Sequence, residues 1–151
     1  MRGTHGKRPG GGQVPAIVAW LCINLLLGAG ARSQTAAPAA LVPPTPTSSG
    51  HFRVAVETAQ PVTINRMYTW IVSVEDSGGR AALEAEIGVD GGVPGLQRHL
   101  PTAPRMTSAL GGGKYRIDGV KFDMAGLWRL RLDVRAGGVA DAVMFDVVVR
   151  P

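Results

Sequence analysis

The sequence predicts an all-β protein, an immunoglobulin-like antiparallel β-sandwich of about seven strands, preceded by a signal peptide and a disordered linker. Short runs in which apolar and polar residues alternate indicate strands with one buried face and one solvated face. Glycine-rich turn signals separate these runs at roughly ten-residue spacing, which is typical of sandwiches. No stretch of the domain has a helical period. A small barrel is the alternative architecture.

The first 31 residues have the composition of a secretory signal peptide. A positively charged region precedes an apolar stretch over residues 14–28, and Ala29-Gly30-Ala31 matches the small-x-small cleavage pattern. The apolar stretch is 15 residues long, whereas a membrane-spanning helix needs about 20. We therefore expect export to the periplasm, with cleavage after Ala31. The alternative is an uncleaved segment that anchors the domain to the inner membrane.

Cysteine content and charge narrow the classes of function. Cys22 is the only cysteine and lies in the apolar stretch, so an exported chain would have no disulfide, no thiolate metal site and no thiol nucleophile. From Arg32 onward the chain has 13 Lys and Arg against 11 Asp and Glu, a net charge of +2. These charges are interspersed, and no aromatic platform accompanies them. The sequence therefore does not predict a nucleic-acid partner.

Residues 32–50 are rich in Ala, Pro, Ser and Thr and have no periodicity. Such a composition offers too little apolar surface to offset the entropy of ordering, so we expect a disordered or polyproline-like linker. The β-sandwich domain is predicted over residues 51–151.

Alternation predicts most of the strands of this domain in chain order. Two further strands, over residues 105–110 and 114–120, flank a Gly111-Gly112-Gly113 turn in which positive φ angles are expected. Turns are also predicted at residues 76–79 and at Gly137-Gly138. The residues predicted to face the core are, strand by strand, Phe52, Val54 and Val56; Tyr68, Trp70, Val72 and Val74; Ala85, Ile87 and Val89; Trp128, Leu130, Leu132 and Val134; and Val143, Phe145, Val147 and Val149.

Histidine and methionine side chains provide the only candidate metal ligands. His99 is the one histidine in the middle of the domain, and a soft set of His and Met side chains suits Cu(I). The candidate set is His99, Met106 and Met124. The alternative is that these methionines, with Met67 and Met144, fill gaps in the core. His51, where the linker meets the first strand, is expected to be exposed.

No group of residues predicts catalysis. The serines lack a G-x-S-x-G setting, and no Lys-Ser/Thr pair opening a helix follows the three glycines, so a nucleophile elbow and a phosphate loop are both missing. Asp118 and Asp123 are expected to be solvated residues on either side of a turn. The sequence does not predict an enzyme.

Several short motifs between residues 64 and 147 resemble a known family. They are Ile64-Asn65-Arg66-Met67 with Thr69-Trp70; Asp90-Gly91-Gly92 with Pro94; Leu100-Pro101-Thr102-Ala103-Pro104-Arg105; Leu110-Gly111 with Gly113-Lys114-Tyr115; and Gly119 to Met124 with Gly126, Trp128 and Leu130. In these residues the chain is similar to the YtkA-like family of exported bacterial domains, which is distantly FixH-like. The resemblance implies an immunoglobulin-like sandwich in the periplasm, with a link to copper handling or to the assembly of respiratory and haem proteins.

The chain departs from the family pattern at the residues that the family offers as ligands. A His follows the methionine of the first motif in the family, where this chain has Tyr68, and the central loop carries Met-Pro and two His, where this chain has His99 alone. We therefore expect a non-catalytic interaction or accessory module, whose 90–105 loop meets an unidentified periplasmic protein through Leu96, Arg98 and His99. The alternative is a weak or partner-completed copper carrier that uses His99, Met106 and Met124.

Overall fold

Eight strands and no helix make up residues 38–151, the part of the chain that this computed structural model describes. The predicted all-β sandwich is confirmed, with eight strands where about seven were expected. The strands are β1 (Pro38–Pro46), β2 (Phe52–Ala59), β3 (Met67–Asp76), β4 (Glu86–Gly92), β5 (Arg105–Gly111), β6 (Lys114–Lys121), β7 (Gly126–Ala136) and β8 (Val139–Val149).

Two antiparallel sheets enclose the core. One has the strand order β1-β2-β3-β6-β5, and the other has the order β4-β7-β8. Trp70, Phe122 and Trp128 are fully buried between the sheets, and the rings of Phe122 and Trp128 meet edge to face at 5.2 Å between centroids. The predicted inward-facing residues are confirmed, although Val89 and Phe145 are only partly buried. Alternation works here because each sheet has one face against the core.

The predicted linker is wrong for residues 38–50, and the β-sandwich therefore begins before residue 51. Residues 38–46 form β1, which pairs with β2 along the edge of the larger sheet, and residues 47–50 form a turn in which Thr47 is buried. Val42 is the residue of β1 that reaches the core, at 5% exposure. Pro43 and Pro44 lie where the register shifts, and an edge strand tolerates prolines because its outer side needs no hydrogen-bonded partner. Because β1 has one buried side chain among several prolines, its sequence does not show the alternation of apolar and polar residues that marks most of the other strands.

The glycine turn after β5 is confirmed. Gly111, Gly112 and Gly113 all have positive φ angles, and the carbonyl of Gly113 accepts a hydrogen bond of 2.8 Å from the Val74 amide. Side chains are strained in that backbone conformation, so glycine is required there.

The described residues belong to one compact unit, Gln34–Pro151. The strand pairings and core residues that the structure describes all lie within this unit, so the 34–151 fragment contains both complete sheets described here and the core between them. None of the described residues forms a helix that could span a membrane. The predicted signal peptide, residues 1–31, and the first part of the predicted linker lie outside the described residues.

The strand pairings define two ends of the sandwich. We call the end at which β1 begins the entry end, because the chain before Pro38 connects there, and the opposite end the far end. Pro38 pairs with Ala59, and Met67 pairs with Lys121, which places these four residues at the entry end. The entry end comprises residues 59–67, 92–105, 121–126 and 149–151, and the far end comprises residues 46–52, 76–86, 111–114 and 136–139.

Candidate binding loop

A tight turn shapes the loop between β4 and β5. The Leu96 amide donates a 3.1 Å hydrogen bond to the Val93 carbonyl, and Pro94 and Gly95 occupy the two central positions. Gly95 has φ +80°, so this is a type II turn, which favours proline first and glycine second. The loop then folds back along β4, because the Val93 amide donates to the Arg98 carbonyl at 3.1 Å. Residues 93–100, called the 93–100 loop, are therefore ordered by their own backbone.

Two glycines at the end of β4 allow this close return. A Cβ atom on Gly92 would overlap the carbonyl oxygen of Arg98, and a Cβ atom on Gly91 would overlap the side chain of Leu130 on β7. Both residues therefore have to be glycine for the backbones to approach. Gly92 forms an isolated antiparallel bridge with His99, and the Leu100 amide donates to the Gly91 carbonyl at 3.1 Å. The Asp90-Gly91-Gly92 motif thus fixes the base of the loop.

One ion pair attaches the loop to the β6–β7 connection. Arg98 Nη1 donates a 2.8 Å hydrogen bond to Asp123 Oδ2, with the Arg98 side chain 48% exposed and the Asp123 side chain 30% exposed. The other oxygen, Asp123 Oδ1, is buried and has no hydrogen-bond partner among residues 38–151. Asp123 follows the fully buried Phe122, which holds its backbone in place. Asp123 is therefore not the freely solvated residue that the sequence predicts.

The loop leaves side chains predicted to bind a partner exposed to water. Leu96 is 56% exposed as the last residue of the turn, and His99 is also exposed. The structure therefore brings the three predicted partner-binding residues, Leu96, Arg98 and His99, together in one ordered loop at the entry end.

The candidate copper ligands lie in different environments. Met106 on β5 and Met124 after β6 are partly buried and pack against the core, whereas the side chain of His99 is exposed. Residues 38–151 contain no group of three or more His, Cys, Asp or Glu side chains that could hold a metal ion. The core-filling interpretation fits Met106 and Met124 and is wrong for Met67 and Met144, which are 58% and 62% exposed. The copper set stays a prediction.

Sequence analysis missed a carboxylate that organises the far end. The Asp141 side chain is 3% exposed and accepts hydrogen bonds from the Thr47 hydroxyl at 2.7 Å and from the amides of Ala142, Ser49 and His51. Burial raises the pKa of Asp141, but these hydrogen bonds outweigh it and hold the pKa well below its usual range. His51 is 53% exposed, as predicted, and its Nδ1 lies 3.2 Å from Asp141 Oδ2. No local sequence signal joins positions more than 90 residues apart.

Asp118 lies within β6, not beside a turn as the sequence predicts. It accepts 2.6 Å hydrogen bonds from the hydroxyls of Thr107 and Thr69 on the two neighbouring strands. These bonds, with help from Arg116, lower the pKa of Asp118 to about 2. Asp118 thus holds three strands together on the outer face of the larger sheet.

The fold and loop together define an immunoglobulin-like β-sandwich that presents an ordered, partly apolar loop. Comparison of the chain with family models, curated proteins and solved structures found no match. The resemblance to YtkA-like domains therefore rests on the motifs quoted above and stays a prediction.

Proposed function

We propose that the chain is an exported, non-catalytic accessory module that binds a periplasmic partner protein through the 93–100 loop. The observation that carries the proposal is the exposure of Leu96 at the end of a turn whose backbone is already hydrogen-bonded. Arginine is enriched at protein interfaces, and the exposed Leu96 two residues before Arg98 supplies apolar surface for a partner to bury.

Order in the free loop supports this function energetically. Binding loses affinity when a loop has to be immobilised, and each rotamer-rich side chain that is fixed costs about 0.5–1.5 kcal/mol. The type II turn, the return along β4 and the Arg98–Asp123 pair fix the loop before any partner arrives. A partner then has to order only the side chains of Leu96 and His99 and the outer part of Arg98.

The test begins by finding the partner with a photoreactive amino acid at position 97, which is exposed between Leu96 and Arg98. The cross-linked partner is identified, purified and titrated calorimetrically against the 34–151 fragment. We expect the combined change Leu96→Ala, Arg98→Ala and His99→Ala to weaken binding by at least about tenfold, since a few central residues carry most of an interface's energy.

The matched control is the combined change Ser77→Ala, Arg80→Ala and Leu83→Ala in the 76–86 segment at the far end. It removes a cation and a leucine that is 65% exposed, and we expect the affinity to stay unchanged. Equal affinity of the loop variant and the unmodified fragment would refute the proposal. A cross-link that forms equally well from position 83 would also refute it.

A further inference from the structure

The two ends of the sandwich differ in charge. Among the described residues, the entry-end segments contain five Lys or Arg and a single acidic residue, Asp123, which is already paired with Arg98. The far-end segments contain two Lys or Arg against three Asp or Glu. The entry-end cations are Arg66, Arg98, Arg105, Lys121 and Arg150. A chain whose mature net charge is only slightly positive thus concentrates its positive charge at one end.

Backbone contacts hold three of these cations around one segment of chain. The Arg150 amide donates to the Val62 carbonyl at 2.8 Å, and the Arg150 carbonyl accepts from Ile64 at 3.0 Å. Lys121 is directly opposite Met67, the residue after Arg66. Arg66 thus lies within residues 62–67, and the backbones of Lys121 and Arg150 lie beside this segment. None of the three forms an ion pair within residues 38–151, and Arg66 lies over the Tyr68 ring at 5.4 Å from its centroid.

Apolar side chains accompany the cations. Met67 is 58% exposed beside Lys121, and Leu96 is 56% exposed on the neighbouring loop. Cations around protruding apolar side chains match the interface of a membrane, where phosphate headgroups lie above the acyl chains.

The path of the chain points to the same end. Pro38 begins β1 at the entry end, so the residues before it join the domain there. Under the alternative in which residues 14–28 stay uncleaved as a membrane anchor, the point of attachment is therefore at the basic end.

From this charge, exposure and connectivity we propose that the entry end docks on the surface of an anionic phospholipid membrane. Arg66, Lys121 and Arg150 contact headgroup phosphates, and Met67 enters the boundary between headgroups and acyl chains. The four residues assigned to these lipid contacts lie outside the 93–100 loop, so this proposal goes beyond the proposed binding of a partner protein. Docking places the 93–100 loop close to the bilayer, where a membrane-bound partner could be met.

The test uses the 34–151 fragment, which lacks the apolar stretch and therefore reports on the entry end alone. Its co-sedimentation is measured with phosphatidylcholine vesicles and with vesicles in which about a third of the lipid is phosphatidylglycerol. We expect binding to the anionic vesicles only, weakening steeply as salt is raised from about 0.05 to about 0.3 M. The combined change Arg66→Gln, Lys121→Gln and Arg150→Gln should weaken binding by about a hundredfold, since each cation near the surface contributes about fivefold.

The control changes Arg53, Lys114 and Arg135 to Gln, which removes the same charge from exposed positions in the far half. We expect this variant to keep most of the binding, and Met67→Ser to lower it by about fivefold with no loss of charge. Several results would overturn the proposal: no difference between anionic and neutral vesicles, equal losses in the two charge variants, or tighter binding to polyglutamate than to vesicles. The last of these would assign the basic end to an acidic protein.

Discussion

Two loops at opposite ends of the sandwich are held by different means. At the far end, residues 47–51 gather around the buried carboxylate of Asp141, which accepts hydrogen bonds from several of them. At the entry end, the 93–100 loop is held by a turn, by glycines at the end of β4 and by one half-exposed ion pair. In the first arrangement, polar groups hydrogen-bond to one another within the protein. In the second, the side chains of Leu96 and His99 are exposed to solvent. The buried polar contacts therefore lie at one end of the sandwich, and the proposed binding site lies at the other.

Removal of the far-end carboxylate should have the largest effect on stability. In Asp141→Ala, the Thr47 hydroxyl and the amides of Ser49 and Ala142 lose their acceptor together. The loss is costly chiefly at Thr47, which is buried. We expect thermal unfolding to shift down by several degrees, the largest shift in this series, while the loop at the entry end keeps its partner affinity. Differential scanning calorimetry measures the shift.

His51→Ala is the matched control, because this ring is 53% exposed and contacts the same carboxylate. We expect His51→Ala to change the unfolding temperature only slightly. If the two variants unfolded at the same temperature, the side chain of Asp141 would not be the centre of the far-end turn.

At the entry end, Gly92→Ala should have the next largest effect. Its Cβ would overlap the Arg98 carbonyl oxygen, so the loop has to move away from β4, at a cost of about 1–3 kcal/mol in the free energy of unfolding. Urea denaturation measures the cost, and partner affinity should fall with it because the loop loses its ordered base.

Gly88→Ala, on the same strand, is the matched control for Gly92→Ala. A Cβ at position 88 would meet only the Asp133 Cβ, at an ordinary 3.8 Å. We expect a change within about 0.5 kcal/mol and an unchanged affinity. A similar cost at both positions would mean that the penalty comes from β4 as a strand and not from the return of the loop.

Particular residues show which parts of this arrangement the sequence could predict. Period-two alternation is a local property of each strand, and it is enough to place Trp70 and Trp128 in the core. Gly111 to Gly113 are recognisable as a turn because positive φ strongly favours glycine. Leu96, Arg98 and His99 are neighbours in sequence, so their proximity follows from chain connectivity.

The parts that were missed depend on register and long-range contact. β1 is held by its pairing with β2 and by the burial of Val42. The prolines around Val42 suggest a linker instead of a strand. Asp141 meets Thr47 across 94 positions, and Asp118 meets Thr69 across 49. Composition and periodicity contain no information about such pairs, so a carboxylate that joins strands cannot be distinguished from a solvated one.

Acid should weaken the protein through these same carboxylates. The pKa of Asp118 is lowered from 3.8 to about 2 in the folded state, so the folded protein releases this proton more readily than the unfolded chain. The resulting stabilisation is complete above about pH 4 and is lost as the pH falls towards about 2. Urea denaturation between these pH values should show a falling free energy of unfolding, with a shallower fall in Asp118→Asn. An equally steep fall in that variant would mean that Asp141, and not Asp118, is the main source of the pH dependence.

The smallest expected effect concerns copper. His99 is exposed, whereas the thioethers of Met106 and Met124 are partly buried against the core, and tight Cu(I) sites need several soft donors around one ion. In a competition between the 34–151 fragment and a chromogenic Cu(I) chelator, we therefore expect no binding tighter than about micromolar and no difference between the unmodified fragment and His99→Ala. Stoichiometric binding that is lost in His99→Ala would reverse this expectation. The exposed histidine would then be a metal ligand, and the entry end would act as a copper carrier whose remaining donors come from the methionines or from the partner.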